Sequence, residues 1–205
     1  MPPAHVMPAN PNAARFNDAV ISQMIPLLTA SHGRALCLFT SYHALRAVVG
    51  ELRSRLPHLE FLEQGAELSR DTLLAKFRAA QGRNLVLCAT KSFWEGVSLE
   101  GAQLGLVTID RLPFTPPGPI QSAKQAAIEA RGGNWFSNLA LPEAVAALRQ
   151  GVGRLIRTTT DRGVVAVFDP RLTQKPWGRT VLNALPPFRR TQKMEEVNDF
   201  FKQQS

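Results

Sequence analysis

Five short apolar runs, each followed by polar or turn-forming residues, impose the strongest constraint on how this 205-residue chain folds. Stretches with helical periodicity separate the runs, and such alternation is typical of a parallel β-sheet with crossover helices on both faces. The predicted strands are Ala35–Phe39, Glu60–Leu62, Leu85–Ala89, Leu104–Ile109 and Val164–Phe168. The predicted helices are Asn17–Ala30, Tyr42–Leu56, Ser69–Ala80, Ile120–Arg131, Pro142–Arg157 and Trp177–Ala184. The predicted fold class is therefore α/β.

The length and the 44% hydrophobic content predict one domain that folds without cross-links. Residues 1–16 are rich in Pro, Ala and Asn and lack periodicity, so we predict a flexible linker or cut end there. The domain itself is predicted over residues 17–191, and residues 192–205 are predicted to form a C-terminal tail. Within the domain, three prolines in Leu112–Gly118 predict an extended, stiff loop.

The net charge of +8 predicts an anionic partner, because clustered Lys and Arg displace counterions from phosphates. Charge alone does not separate nucleic acid from acidic lipid. The two cysteines, Cys37 and Cys88, lie in apolar runs and are predicted to be buried free thiols, with no metal site. The sequence has neither a long apolar stretch nor a signal-peptide core, so we expect a cytoplasmic protein with no membrane association.

Ligands of open α/β sheets bind beyond the carboxyl ends of the strands, so the loops that follow the strands are the first places to look. Near the end of a predicted helix, Gln150, Arg154 and Arg157 are spaced to form one polar stripe. Gly151 and Gly153 flank this stripe and would leave the backbone bare for a ligand or a second domain. The alternative interpretation is a solvated helix face.

This segment resembles the last conserved motif of superfamily 2 helicases, Gln-x-x-Gly-Arg-x-x-Arg, at every defined position. The resemblance implies that Arg154 and Arg157 are arginine fingers, which reach the γ-phosphate of an ATP molecule bound by a first motor domain. It also implies that Gln150 makes a polar contact near the same phosphate.

A second segment, Thr90 to Gly101, resembles the Ser-Phe-Trp-Glu-Gly-x-Asp motif of DinG and XPD helicases. The resemblance implies that Lys91 and Ser92 hold DNA phosphates and that Glu95 and Gly96 sense the nucleotide. The family's Asp falls at Ser98, which carries no charge.

Two aromatic residues lie within that segment. Trp94 is predicted either to stack on an unpaired base or to anchor the loop by packing. Phe93 is predicted to belong to the core.

Three weaker similarities follow the same family order. Thr40, Ser41 and Tyr42 match the Phe-Thr-Ser-Tyr motif that grips a nucleic-acid backbone, although the same residues suit a plain helix N-cap. Arg111 stands at the Lys of an Ile-x-Lys-Leu-Pro-Phe motif and keeps its charge. Asp169-Pro-Arg171 and the residues that follow resemble the closing strand and tail of these helicases.

Taken together, residues 17–191 resemble the second motor domain of DinG/YoaA/XPD-like superfamily 2 DNA helicases. The resemblance implies a RecA-like fold, related to P-loop NTPases but lacking the P-loop, and an ATP and Mg²⁺ site held mostly by the first domain. An iron–sulfur cluster is expected only in that other half. The implied partners are single-stranded DNA and the first motor domain, in a DNA-repair setting, with no activity from this chain alone. Three origins of such a chain remain open: a fragment of a longer helicase, the product of a split gene and a degraded paralogue.

Two other classes of function remain open at this stage. One is a stand-alone, non-catalytic module that binds single-stranded nucleic acid or a helicase partner. The other is an unrelated α/β enzyme acting through His32, His43 or Asp110, for which the sequence offers no nucleophile elbow.

Overall fold

The computed structural model describes residues 7–81, 83–90, 93, 104–153 and 162–204. Several predicted site residues lie outside these described ranges: Lys91, Ser92, Trp94, Glu95, Gly96, Ser98, Arg154 and Arg157. Within the described part of the chain, no helix is both long enough and apolar enough to cross a membrane.

A five-stranded parallel sheet forms the centre of the described part of the chain. Its strands are β1 (Ala35–Phe39), β2 (Glu60–Glu63), β3 (Leu85–Thr90), β4 (Leu106–Ile109) and β5 (Val164–Val167). They lie in the order β2-β3-β1-β4-β5, and every neighbouring pair is parallel. All five predicted strands are confirmed, with ends that differ by at most two residues.

Within the described residues, eight α-helices surround the sheet. Their bounds are α1 (Phe16–Ala30), α2 (Tyr42–Arg55), α3 (Arg70–Ala79), α4 (Pro119–Glu129), α5 (Leu141–Val152), α6 (Arg171–Gln174), α7 (Gly178–Asn183) and α8 (Met194–Lys202). A π-helical segment, Phe136–Ala140, leads into α5. The predicted extended loop Leu112–Gly118 is confirmed, since none of its residues adopts regular structure.

Side chains from the sheet alternate between two cores. In β1, Cys37 and Phe39 pack beneath α1, α2 and α8, whereas Leu36 and Leu38 pack beneath α3, α5 and α7. Both faces of the sheet are therefore covered, as parallel sheets require. The RecA-like architecture with helices on both faces is confirmed.

Both cysteines are buried free thiols, as predicted. Cys37 and Cys88 face each other in register on β1 and β3. Burial, reinforced by the Cys37 side chain, raises the pKa of Cys88 well above its ordinary value, so this thiol stays protonated and unreactive.

The predicted domain bounds stay a prediction, but both ends of the described chain contribute buried residues to the fold. Residues from Met7 onward are described, and Met7 itself is buried in the core beneath α1. The predicted tail contains α8, which packs against α1 and buries Phe201. The polar composition of both ends concealed isolated apolar residues, whose burial depends on surfaces formed by the rest of the fold.

Candidate nucleic-acid and nucleotide interface

The carboxyl edge of the sheet brings together the ends of β1 and β4. From β1 the chain continues to β2 on one side of the sheet, whereas from β4 it continues to β5 on the other side. The loops that follow these neighbouring strands therefore diverge, and open α/β sheets bind ligands at such a switch point. Thr40 follows β1 directly, and Asp110 follows β4.

Asp110 joins the two loops through four hydrogen bonds. Its Oδ1 atom accepts the backbone N–H of Thr40 at 2.9 Å and that of Arg111 at 2.7 Å. Its Oδ2 atom accepts the Thr40 hydroxyl and Arg111 Nη1, both at 3.2 Å. The side chain is only 3% exposed, so these four donors replace the water that a free carboxylate would bind.

The protonation of Asp110 reflects two opposing effects. Burial raises the pKa of Asp110 from 3.8 to about 6, while the Arg111 guanidinium and the hydrogen bonds from Thr40 and Arg111 oppose that increase. Asp110 is therefore mostly ionised at neutral pH, and both oxygens accept hydrogen bonds.

The residues after Thr40 begin α2. Ser41 caps this helix, because its Oγ atom accepts the backbone N–H of Ala44 at 3.1 Å. Ser41 is exposed, and the Tyr42 side chain is 43% exposed beside it. An exposed hydroxyl at a helix N-terminus suits a phosphate, which would accept hydrogen bonds there in a favourable helix dipole. The N-cap interpretation is confirmed, and it is compatible with the predicted nucleic-acid role.

Arg111 turns toward the start of the chain. Its Nε atom donates to the Pro11 carbonyl at 2.9 Å and its Nη2 atom to Asn17 Oδ1 at 3.3 Å. The guanidinium also lies 4.5 Å from the centre of the Phe16 ring. All three nitrogens are thus engaged within the chain, and the predicted nucleic-acid contact of Arg111, which stays a prediction, requires some of these bonds to open.

A second buried carboxylate organises the end of β5. The Asp169 side chain is fully buried, accepts the Leu112 backbone N–H at 2.8 Å, and pairs with Arg171 Nη2 at 2.6 Å. Arg171 in turn lies 4.9 Å from the centre of the Phe114 ring. Phe114 contacts Trp177 and the π-helical segment through ring contacts, so Asp169 fixes the loop that leaves β4.

The end of β3 is fixed by a side chain from the loop after β2. Gln64 Oε1 accepts the Thr90 backbone N–H at 2.8 Å and the Thr90 hydroxyl at 3.1 Å. Beyond Thr90 only Phe93 of the predicted motif lies within the described residues, and its 1% exposure confirms that it is a core residue. The guanidinium of Arg70 lies 5.1 Å from its ring centre.

The helix that leads to the predicted arginine fingers is described as far as Val152 and its cap, Gly153. Gln150 is exposed, and its predicted contact with a nucleotide stays a prediction. Val152 is fully buried, and Leu148 packs in the same core. Gly151 is also buried, so the expected bare backbone at this glycine is wrong, because Gly151 lies on the inward side of the helix.

Sequence reasoning did not assign site roles to three of these residues. Asp110 entered only through the alternative enzyme, and Gln64 and the carboxylate of Asp169 received no individual role. The available signal was positional, since Asp110 and Asp169 both follow apolar strands and are followed within two residues by an arginine. That pattern is typical of a strand-end carboxylate that caps its own loop.

The described residues offer donors suited to phosphate oxygens rather than a metal centre. No group of three His, Cys, Asp or Glu side chains in the described ranges is placed to hold a metal ion. The Ser41 hydroxyl, the first amides of α2 and the Gln150 amide are neutral donors. The predicted nucleotide and nucleic-acid contacts of these residues stay predictions.

Comparison with known proteins places the chain in a family. Residues 24–188 match the model of the helicase C-terminal domain. The chain belongs to this helicase family. Relatives include the ATP-dependent DNA helicase YoaA of Haemophilus influenzae, which is 41% identical over 195 residues, with coverage of 94% of this chain and 30% of the relative. The ATP-dependent helicase DinG of Mycobacterium tuberculosis is 43% identical over 178 residues, with coverage of 86% and 26%.

Solved structures agree with the fold. An XPD helicase superposes with a TM-score of 0.65 at 17% identity, covering 84% of this chain and 31% of that one. The C-terminal domain of a DEAD-box protein superposes with a TM-score of 0.53 at 16% identity, covering 94% and 92%. The chain spans about 30% of the length of the YoaA relative.

Proposed function

We propose that this chain is the second of two RecA-like motor domains of an ATP-dependent DNA helicase. The observation that supports this most strongly is the switch point between β1 and β4, where the Thr40 loop follows one strand and presents the exposed start of α2. It lies within the part of the chain that matches the helicase C-terminal domain. Helicase relatives whose names specify ATP and DNA support the substrate classes.

In this proposal the chain supplies one side of a shared ATP site. Arg154 and Arg157 are the arginine fingers, Gln150 adds a polar contact, and Glu95, Gly96 and Ser98 sense the nucleotide state. The guanidinium groups would orient the terminal phosphate and stabilise charge that develops during transfer, while a first motor domain holds the phosphate tail and Mg²⁺. The chain alone is then inactive as an ATPase.

The same proposal assigns a single-stranded DNA track to the loops after β1 and β3. Ser41 and the first amides of α2 would donate to backbone phosphates, together with Lys91 and Ser92. Thr40 would line the track beside them, with its N–H and hydroxyl bound to Asp110. Tyr42 and Trp94 would contact sugars or bases. A cytoplasmic location and a DNA-repair setting belong to this proposal and are supported by the family relationship alone.

The DNA track is tested with the chain itself. Binding of a fluorescein-labelled oligothymidylate is measured by anisotropy across a salt series. The proteins are the wild type, Lys91→Gln and the matched control Lys202→Gln, an exposed lysine at the end of α8. A lysine that contacts phosphate contributes about 0.7 to the salt slope for single strands. Lys91→Gln should therefore weaken binding and lower the slope by about that amount, whereas Lys202→Gln should leave the slope unchanged. Equal slopes for all three proteins would remove Lys91 from the track.

The arginine fingers are tested in a chimaera in which this chain replaces the matching segment of Escherichia coli YoaA, to which it is 43% identical over 182 residues. Arg157→Ala should reduce DNA-stimulated ATP hydrolysis by about 10³-fold or more, with a smaller effect on nucleotide affinity. The control is Arg55→Ala, which removes an exposed arginine on α2. An active chimaera that hydrolyses ATP equally well with Arg157→Ala would exclude the finger role.

The rival function is a stand-alone module that binds single-stranded nucleic acid, and the net charge of +8 favours it. Two results together would favour the module. The isolated chain would bind single-stranded nucleic acid tightly and with a steep salt dependence, and the chimaera would show no ATPase activity even with Arg154 and Arg157 intact.

A further inference from the structure

The Asp110–Arg111 pair connects two parts of the chain that are distant in sequence. On one side Asp110 binds the backbone and the hydroxyl of Thr40, 70 residues away. On the other side Arg111 binds the Pro11 carbonyl and the Asn17 side chain, 100 and 94 residues away. The pair therefore lies between the Thr40 loop and the N-terminal segment, which we define as residues 7–17.

We propose that Asp110 is a positioning residue that holds the Thr40 loop, and with it the exposed Ser41 hydroxyl at the start of α2, in place for a nucleic-acid phosphate, and that Arg111 couples this loop to the N-terminal segment. This inference rests on the proposed DNA track. It assigns Arg111 a role different from the direct nucleic-acid contact that the family resemblance implies. A shift of the N-terminal segment would change the position of Thr40 through the adjacent side chains of Arg111 and Asp110.

The contacts of Arg111 support coupling rather than direct DNA binding. Its side chain is 19% exposed, and each of its three nitrogens donates to an acceptor in the chain. The flat face of the guanidinium lies against Phe16, which closes one side of the group. A DNA phosphate would have to replace hydrogen bonds that already exist.

The residue type at position 111 also supports coupling rather than direct DNA binding. Residue 111 carries a guanidinium rather than an ammonium group. A single ammonium cannot reach three acceptors in three directions, whereas a guanidinium presents a planar fork that does. A residue needed only for its charge on DNA would not require that fork, so Arg111→Lys separates the two roles.

The Asp110 contacts explain how the pair acts on the loop. Thr40 comes directly before Ser41, the N-cap of α2, so a carboxylate that fixes the Thr40 amide also fixes the entry to this helix. Burial of Asp110 prevents water from substituting for a lost donor. Water therefore cannot replace a side chain that is removed, and loss of either Asp110 or Arg111 would loosen the Thr40 loop.

The test compares Asp110→Asn, Arg111→Lys and Asn17→Ala with two matched controls, Glu51→Gln and Arg55→Lys, which alter an exposed ion pair on α2. Oligothymidylate affinity, its salt slope and hydrogen exchange at the Thr40 amide are measured for each folded protein. Asp110→Asn and Arg111→Lys should each weaken binding about tenfold, as expected for a lost charge-assisted hydrogen bond. Asn17→Ala should weaken it about threefold. All three should keep the wild-type salt slope and accelerate exchange at Thr40.

The outcomes separate this inference from the proposed function. Two outcomes would overturn the inference while the DNA track stands. One is wild-type affinity in folded Asp110→Asn. The other is full affinity in Arg111→Lys together with a salt slope that falls by about 0.7 in Arg111→Gln. If the wild-type chain binds no oligonucleotide, the DNA track fails, and the positioning role fails with it. Should Asp110→Asn not fold, Arg111→Lys and Asn17→Ala decide the question, because both keep the carboxylate.

Discussion

The buried Asp110 carboxylate predicts a specific dependence of stability on pH. Folding raises the pKa of this group from 3.8 to about 6, mainly through burial. Between these values the folded chain binds a proton that the unfolded chain has lost, so stability contributed by protonated Asp110 decreases as pH rises. At 1.36 kcal/mol per pKa unit the total loss is about 3 kcal/mol, of which about 2 kcal/mol falls between about pH 4.5 and about pH 7.5.

The assay is urea denaturation of the wild type and Asp110→Asn, followed by circular dichroism at several pH values. Because Asn does not titrate, the difference between the two free energies of unfolding isolates Asp110 from the other carboxyl groups. The free energy of unfolding of the wild type minus that of Asp110→Asn should fall by about 2 kcal/mol from about pH 4.5 to about pH 7.5 and stay level above that. Glu51→Gln, at an exposed position, should give a difference that stays level throughout. A level difference for Asp110→Asn as well, or one that rises with pH, would refute the reasoning.

Three further substitutions test the packing on which the site depends, each by the midpoint of urea denaturation. Gly178→Ala should destabilise the chain by at least about 2 kcal/mol, because its new Cβ would lie 2.6 Å from the Leu172 carbonyl carbon and 2.9 Å from the Arg171 carbonyl oxygen; an unchanged midpoint would show that α6 and α7 shift freely. Ser69→Ala should cost about 1 kcal/mol, since Ser69 Oγ accepts the Thr72 N–H at 3.2 Å, and Ser69→Asp should restore it. Phe201→Ala should cost about 3 kcal/mol by leaving a cavity beneath α8, whereas the exposed Lys202→Ala should be neutral; equal midpoints for both would mean that α8 contributes nothing to the fold.

Much of the fold was predictable because the strands are apolar on both faces. Such runs have few alternatives once helical stretches separate them, and the order of elements then implies a parallel sheet. The N-cap of α3 was also predictable, since Ser69 precedes Asp71 at the start of a helical pattern, and its cap hydrogen bond is observed. These features depend on residues that are close together in sequence.

Contacts between distant segments were not predictable in the same way. Met7 and Phe201 are single apolar residues in polar surroundings, and nothing local indicates the surfaces that bury them. The contact between Thr40 and Asp110 depends on β1 lying beside β4, and the apolar runs do not specify strand order. Gly151 was assigned an outward position from spacing alone, although its burial shows that it lies on the inward side of α5.

Two buried carboxylates at neighbouring strand ends give the carboxyl edge its rigidity. Asp110 fixes the loop after β1, and Asp169 fixes the loop after β4 through the Leu112 amide, so each loop depends on the strand beside it. The three prolines of Leu112–Gly118 cannot donate hydrogen bonds, which leaves the Leu112 amide as an important attachment for that loop. Since the loops are tied to one another across the sheet, we expect this edge to move as one body if the proposed two-domain motor opens and closes. The N-terminal segment contacts the same network through the hydrogen bond from Arg111 to the Pro11 carbonyl, and the coupling proposed above depends on this contact.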